Sequence, residues 1–302
     1  MKEIIGVRTI SEAHEMFGLE KPKHPLVTVY NHNNMVQKPE HIGKTVAIDL
    51  YHVMYKDCKE GSFQYGRNTY DFQEGTLLFT KPGQVVTIPE WKKDHGTTGW
   101  SLLFHPDLIR KSALGKHIDD YSFFAYEVNE ALHLSNDEKR TIAGLRNKII
   151  EEYGLNIDTH SQKLIVANIE LMLDYCTRYY DRQFYTRTNM NQDTVSRFEH
   201  LLKDYYNSDK PLLAGIPTVS FCGNALHMSS NYLSDLLKKE TGRNAREHIH
   251  FFLIDRAKTS LLGSNESVSQ IAYSLGFEYP QHFSKLFKKK TGMSPAEYRS
   301  LN

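Results

Sequence analysis

Two short lysine runs stand near the end of this 302-residue chain. Lys238-Lys239 come shortly before Thr241-Gly242, and Lys288-Lys289 come shortly before Thr291-Gly292. Ammonium groups repeated in this way suit neutralisation of a polyanion such as a phosphate backbone. Lysines on an outward helix face also serve solvation alone. Other chemistry is thinly provided for. Cys58, Cys176 and Cys222 are far apart and in no metal spacing, and they read as reduced thiols. His52, His95 and His105 are scattered, with no ligand spacing. No G-x-S-x-G, Walker loop or other nucleophile motif is present. The expectation is therefore no catalytic residue, no metal and no cofactor.

The charge distribution points the same way as the lysines. The chain carries 37 Lys+Arg and 36 Asp+Glu, a formal net charge of +1. From Pro211 to Asn302 there are 11 basic and 7 acidic residues, so this segment is at +4 and the remainder at −3. A basic tail on a mildly acidic body suits a polyanionic partner. No apolar run is long enough to cross a membrane, and the N-terminus lacks the features of a signal peptide. A cytoplasmic protein is expected.

The elements that would position the lysines are written twice. LSDLLKKETGRNAREH begins at Leu233, and FSKLFKKKTGMSPAEY begins at Phe283. Leu233, Ser234, Leu236, Thr241-Gly242 and Glu247 correspond to Phe283, Ser284, Leu286, Thr291-Gly292 and Glu297. Upstream, Val219, Cys222 and Gly223 answer Val268, Ile271 and Ala272, with one more residue in the second connecting turn. Each copy reads as a first helix, a tight turn and a second amphipathic helix ending at Thr-Gly. Ser267 and Gln270 are in capping-box register. This is the helix-turn-helix layout, whose second helix can enter a major groove. NAREHIHFFLIDRAKTSLLGS joins the copies; as one helix of roughly 20 residues it spans about 30 Å, close to the ~34 Å of one DNA turn. Two helical hairpins could also be a plain helical bundle, although repeat arrays usually need three or more units.

The chain before this is different in kind. HPLVTVY, TVAIDLYHVMY, GTLLFT and GWSLLF are short β-branched or aromatic runs separated by turn signals, as in a sandwich or barrel. SEAHEMFG predicts a brief helix ahead of them. A helix from Ser135, with Glu138 completing its cap, leads to a second long helix within THSQKLIVANIELMLDYCTRYYDRQ. There Leu164, Asn168, Leu171 and Tyr175 form one stripe, and Ile165, Ile169, Met172, Cys176 and Tyr179 the next. So wide a face fits packing on the chain's own barrel, or contact with a second copy. The polar, aperiodic TRTNMNQDT predicts a linker. The fold class is thus α+β, in three parts. Residues 1–186 are expected to form a first domain, with a barrel at about 20–105 and helices at about 106–186. Residues 187–194 form the linker, and 195–302 an all-α domain. In that domain the two helix-turn-helix units (about 217–242 and 267–292) flank a helix at about 244–263.

The span from about Pro217 to Arg299 resembles the DNA-binding domain of the arabinose-regulator (AraC/XylS) family. The resemblance rests on Ile271-Ala272, Gly276-Phe277, Phe283, Phe287-Lys288, Thr291-Gly292, Pro295 and Tyr298-Arg299. It covers a little under a third of the chain. The first half is more loosely similar to the cupin-like sensor domains of that family, without the His-x-His of metal-binding cupins. The resemblance implies double-stranded DNA as partner, with base-facing positions Asn231, Ser234 and Asp235 on the first recognition helix. On the second they are Pro280, Gln281, Ser284 and Lys285. Glutamine can pair bidentately with adenine and lysine can reach guanine; Asp235 is awkward beside phosphates. Phosphate contacts are expected from Lys238, Lys239, Arg243, Arg246, Lys288 and Lys289, and from Thr218 and Ser267 at helix N-termini. The resemblance further implies a homodimer, RNA polymerase as a partner, and a small-molecule effector in the N-terminal half. Phe63, Tyr65, Trp91 and Trp100 are the candidate lining of an effector pocket, though core packing suits each of them as well. A barrel enzyme with a DNA-binding tail and a constitutive DNA binder are the rival readings. Activation and repression are not distinguished.

Overall fold

The computed structural model describes residues 4–36, 38–42, 44–57, 64–65, 68–69, 75–87, 98–126, 130–155, 158, 160–186 and 188–300. The chain divides into two compact units, Met1–Tyr185 and Thr186–Asn302. Among the described residues no helix is long and apolar enough to cross a membrane.

The first unit begins with β1 (Ile4–Val7) and α1 (Ile10–Met16), the latter started by a Thr9–Glu12 capping box. Seven strands follow: β2 (Val27–Asn31), β3 (Thr45–Ile48), β4 (Tyr51–Asp57), β5 (Gln64–Tyr65), β6 (Asn68–Thr69), β7 (Thr76–Thr80) and β8 (Gln84–Thr87). After β9 (Thr98–Phe104) come α2 (Pro106–Ile109), α3 (Ala113–His117), β10 (Leu132–His133), α4 (Asn136–Gly154) and α5 (Ser161–Thr186). The β-branched and aromatic runs of the sequence are these strands. Among the described residues they pair as a five-stranded sheet β10-β7-β4-β9-β2, a three-stranded sheet β1-β3-β8 and the β5-β6 pair. β1 runs parallel to β3; this strand precedes the region expected to be a barrel. Closure of the sheets into a cupin-like barrel is not part of this pairing.

Period-2 alternation gives the five-stranded sheet two different faces. Register places Tyr30 opposite Ser101, and His52 opposite Leu103. That face meets Val7, Ile10, Val46 and Ile48 in one core. The other face carries Val53, Phe79, Trp100 and Leu102, all buried. Phe79 packs on Phe123 and on Tyr180 of α5. Tyr153 of α4 donates its hydroxyl to the Val29 carbonyl at 3.1 Å. On α5, Ile165, Ile169, Met172, Cys176 and Tyr179 are buried, while Leu164 and Leu171 remain exposed. The two stripes seen in the sequence are thus one inner stripe and one outer stripe.

The second unit is helical throughout: α6 (Thr188–Tyr206), α7 (Lys210–Ala214), α8 (Val219–Leu226), α9 (Ser230–Thr241), α10 (Ala245–Gly263), α11 (Val268–Ser274), α12 (Pro280–Thr291) and α13 (Pro295–Arg299). It has two cores. Phe198 and Leu202 of α6 join Cys222, Leu226, Leu233, Leu237, Ala245 and Ile249 in the first. Tyr205 and Tyr206 of the same helix join Leu253, Ala257, Ile271, Phe277, Phe283 and Phe287 in the second. Both α6 and α10 therefore run from one core to the other.

In the segment 187–194, expected to be a linker without helical periodicity, residues 188–194 are helical, as the first turns of α6. The segment contains neither Gly nor Pro, so nothing forbids the helix. Tertiary contact then overrides its weak propensity. Asn191 is buried, and its amide donates to Glu240 Oε1 of α9 at 2.8 Å.

Candidate nucleic-acid interface

The repeated segments LSDLLKKETGRNAREH and FSKLFKKKTGMSPAEY have a local physical explanation. Thr241 and Thr291 each return their hydroxyl to the carbonyl four residues back, Leu237 at 2.7 Å and Phe287 at 2.8 Å. Each then accepts the amide two residues ahead, from Arg243 and Met293, both at 3.3 Å. Both helices end at a left-handed glycine, Gly242 and Gly292. Glu247 and Glu297 close capping boxes with Asn244 and Ser294 at the starts of α10 and α13. The repeated residues thus stop one helix and begin the next, twice.

These ends fix the two second helices of the hairpins, α9 and α12, and their faces are alike. On α9 the buried residues are Tyr232, Leu233, Leu236 and Leu237. The opposite stripe carries Asn231, Ser234, Asp235 and Lys238, spaced i, i+3, i+4, i+7. On α12 Phe283 and Phe287 are buried, and the stripe is Gln281, Ser284, Lys285 and Lys288. Side chains three and four apart share a face, so each helix offers polar residues in its first turns and a lysine beyond them. Asn231, Gln281, Lys285, Lys238 and Lys288 are exposed; Ser234, Asp235, Pro280 and Ser284 are half-buried. Pro280 opens α12, where its missing N–H costs nothing. Ser284 donates its hydroxyl to the Pro280 carbonyl at 3.1 Å, which leaves its oxygen as an acceptor.

The phosphate candidates differ in their surroundings. Thr218 and Ser267 are exposed N-caps of α8 and α11; their oxygens accept from Phe221 N at 3.1 Å and Gln270 N at 3.2 Å. Each hydroxyl proton stays available to an anion. Arg243 stacks its guanidinium 4.3 Å from the centre of the Phe251 ring. Arg246 and Lys289 both act on the imidazole of His250. Burial, then Lys290, Arg246 and Lys289, hold that imidazole below its usual pKa. Lys239 is exposed on α9. α10, with 19 residues, is about 28 Å long at 1.5 Å per residue.

The pocket candidates fare differently. Phe63 and Trp91 lie outside the described residues, as does His95, and Tyr65 is placed only by its backbone, in β5. Trp100 is buried, stacked on Tyr55 with the Arg146 guanidinium of α4 over it at 5.6 Å. It belongs to the helix-covered face of the sheet, not to the face carrying Ser101. That second face holds a polar group which sequence spacing did not single out. Ser101 Oγ is 2.8 Å from His52 Nε2 and 3.0 Å from His32 Nε2, and it also bonds the Tyr30 hydroxyl. Burial, the neighbouring His32 and Lys56 bring the His52 pKa down to about 3. Burial and Lys56 bring that of His32 to about 4. Both rings are neutral at pH 7. Alternation within each strand does not bring Tyr30, His52 and Ser101 together; the register that sets Tyr30 opposite Ser101 and His52 opposite Leu103 does.

With this geometry in place, comparison with known proteins is direct. A helix-turn-helix domain model matches residues 222–300. These residues form an AraC-type helix-turn-helix domain. The uncharacterized HTH-type transcriptional regulator YijO of Escherichia coli (strain K12) is 26% identical over 225 residues, 74% of this chain and 73% of YijO. The HTH-type transcriptional activator RhaS of Escherichia fergusonii is 36% identical over 112 residues, 36% of this chain and 38% of RhaS. Among solved structures, ToxT from Vibrio cholerae overlaps 90% of this chain and 97% of its own at 17% identity, with a TM-score of 0.30; that likeness adds nothing to the sequence match. Transcription regulation through DNA binding is the function that the AraC-type domain and these relatives support.

Proposed function

We propose that the protein is a sequence-specific transcription regulator that reads DNA with α9 and α12 in successive major grooves, under control of a small molecule taken up by the N-terminal unit. The observation that carries the reading is the pair of matching stripes, Asn231/Ser234/Asp235/Lys238 and Gln281/Ser284/Lys285/Lys288, on helices built and stopped by the same residues. Gln281 pairs with adenine and Lys285 with guanine N7/O6. Asn231 and Ser234 contact bases from α9. Asp235 accepts from cytosine N4 or orients a neighbouring side chain. Lys238, Lys239, Arg243, Arg246, Lys288 and Lys289 neutralise phosphates, and Thr218 and Ser267 donate to them from helix N-termini.

Two observations support the rest of the proposal. The exposed Leu164 and Leu171 of α5 suit a homodimer contact, leaving the inner stripe to hold the unit together. The His32–Ser101–His52 group sets polar atoms inside an apolar core, where a polar effector re-pairs them. RNA polymerase is the partner through which such a regulator acts. The test is selection and sequencing of random DNA bound by the purified full-length protein at a stated salt. A motif of two elements about 10 base pairs apart is expected. Recovery of unrelated fragments at equal frequency sinks the proposal. A thermal shift of the tryptophan-bearing unit by a metabolite tests effector control separately.

A further inference from the structure

The helix α10 between the two readers fixes their separation, and their mutual rotation needs contacts beyond it. Besides α6, which enters both cores, a backbone contact ties the chain ahead of the matched residues 222–300 to a turn within them. The chain between α7 and α8 touches the turn of the second helix-turn-helix. Gly276 lies in that turn with φ +88, and a Cβ there would lie 2.7 Å from the Gly215 carbonyl carbon and 2.9 Å from both the Gly215 oxygen and the Ile216 nitrogen. These are backbone atoms, which cannot step aside. Gly215 also has a left-handed φ of +76, and its carbonyl accepts the Tyr205 hydroxyl of α6 at 2.8 Å.

Each side of this contact is anchored to one reader. Ile216 stands two residues before Thr218, the cap of α8, and it packs against both cores of the unit. Gly276 stands four residues before Pro280, the first residue of α12. Tyr205 is buried in the second core, while Phe198 and Leu202 of the same helix are buried in the first.

We propose that Tyr205, Gly215 and Gly276 form a clamp that sets the rotation of α12 relative to α9, and with it the one operator spacing that the protein accepts. They are positioning residues: none belongs to the stripes that face DNA. The inference rests on the two-helix reading above, and its test separates the two. Duplexes carrying both selected elements with a randomised spacer length are offered to the full-length wild type, to Gly276→Ala and to Tyr205→Phe, and bound fragments are sequenced. Wild type is expected to return one spacer length. Gly276→Ala is expected to return the same two elements with spacers spread over neighbouring lengths, and to lose roughly tenfold in affinity at the wild-type spacing. Tyr205→Phe leaves the α11–α12 turn untouched and is expected to spread the spacers to a lesser degree; it decides the matter if Gly276→Ala fails to fold. Unchanged single-spacer selection by folded Gly276→Ala, or by Tyr205→Phe in its place, overturns the clamp. If wild type itself returns no paired elements, the two-helix reading fails instead.

Discussion

Acidification should loosen the N-terminal unit through His52. The ring is 5% exposed and bonded to Ser101 at 2.8 Å. Its pKa falls from an ordinary 6.5 to about 3 on folding. At pH 7 the ring is neutral folded and unfolded, so the shift contributes nothing there. Between 6.5 and about 3 the unfolded chain binds a proton that the folded unit refuses. Stability therefore falls as pH falls, by about 1.4 kcal/mol per pH unit well below 6.5. From pH 7 to pH 5 the loss is about 2 kcal/mol, or roughly 4–8 °C in Tm for a unit of this size. His32 acts in the same direction. Both tryptophans, Trp91 and Trp100, belong to this unit, so urea unfolding followed by tryptophan fluorescence reports it alone. His52→Gln keeps a neutral partner for Ser101 and removes the titration. Equal pH slopes in wild type and His52→Gln would refute the reasoning, whatever the other histidines contribute.

Further outcomes follow from the second unit. Gln281→Ala and Lys285→Ala should each weaken binding to the selected DNA by about 1–3 kcal/mol and relax preference at one base pair. Lys288→Ala should weaken binding to all sequences and lower the salt slope by about 1, measured by titration at several ionic strengths. Phe283→Ala removes a fully buried ring and should cost about 3–5 kcal/mol, seen as early unfolding by circular dichroism, where Lys285→Ala leaves the melt unchanged. Asn191→Ala leaves Glu240 without its 2.8 Å donor and should cost about 1–3 kcal/mol, read as faster amide exchange at the start of α6.

The C-terminal architecture was legible because its signals are local. Thr-Gly stops, capping boxes and a 3.6-residue period each act within one or two turns, and the duplication states them twice. The role of α6 was not legible at its start. Asn191 is an indifferent helix residue, and its bond to Glu240 lies across the fold, where no local signal reaches. The Gly215–Gly276 contact was equally hidden, since it joins two turns that are distant in sequence. In the first unit, strand existence followed from β-branched runs, but sheet order follows from non-local pairing. The polar face shows the cost of that limit. Tyr30 with His32, His52, and Ser101 come from three separate segments, and only the register unites them. Trp100 was picked for its chemistry alone, yet alternation assigns it to the helix-packed face beside Ser101's own.

The central claim, that one rigid unit reads two DNA elements on one face of the duplex, is tested most directly by changing the helical phase between them. Affinity of the full-length protein is measured for four duplexes: both selected elements, each element alone, and both with five extra base pairs between them. Five base pairs are about half a turn of B-DNA. The account predicts that the paired duplex binds far more tightly than either single element, and that the insertion returns the affinity to that of a single element. Tight binding that survives the insertion would contradict it.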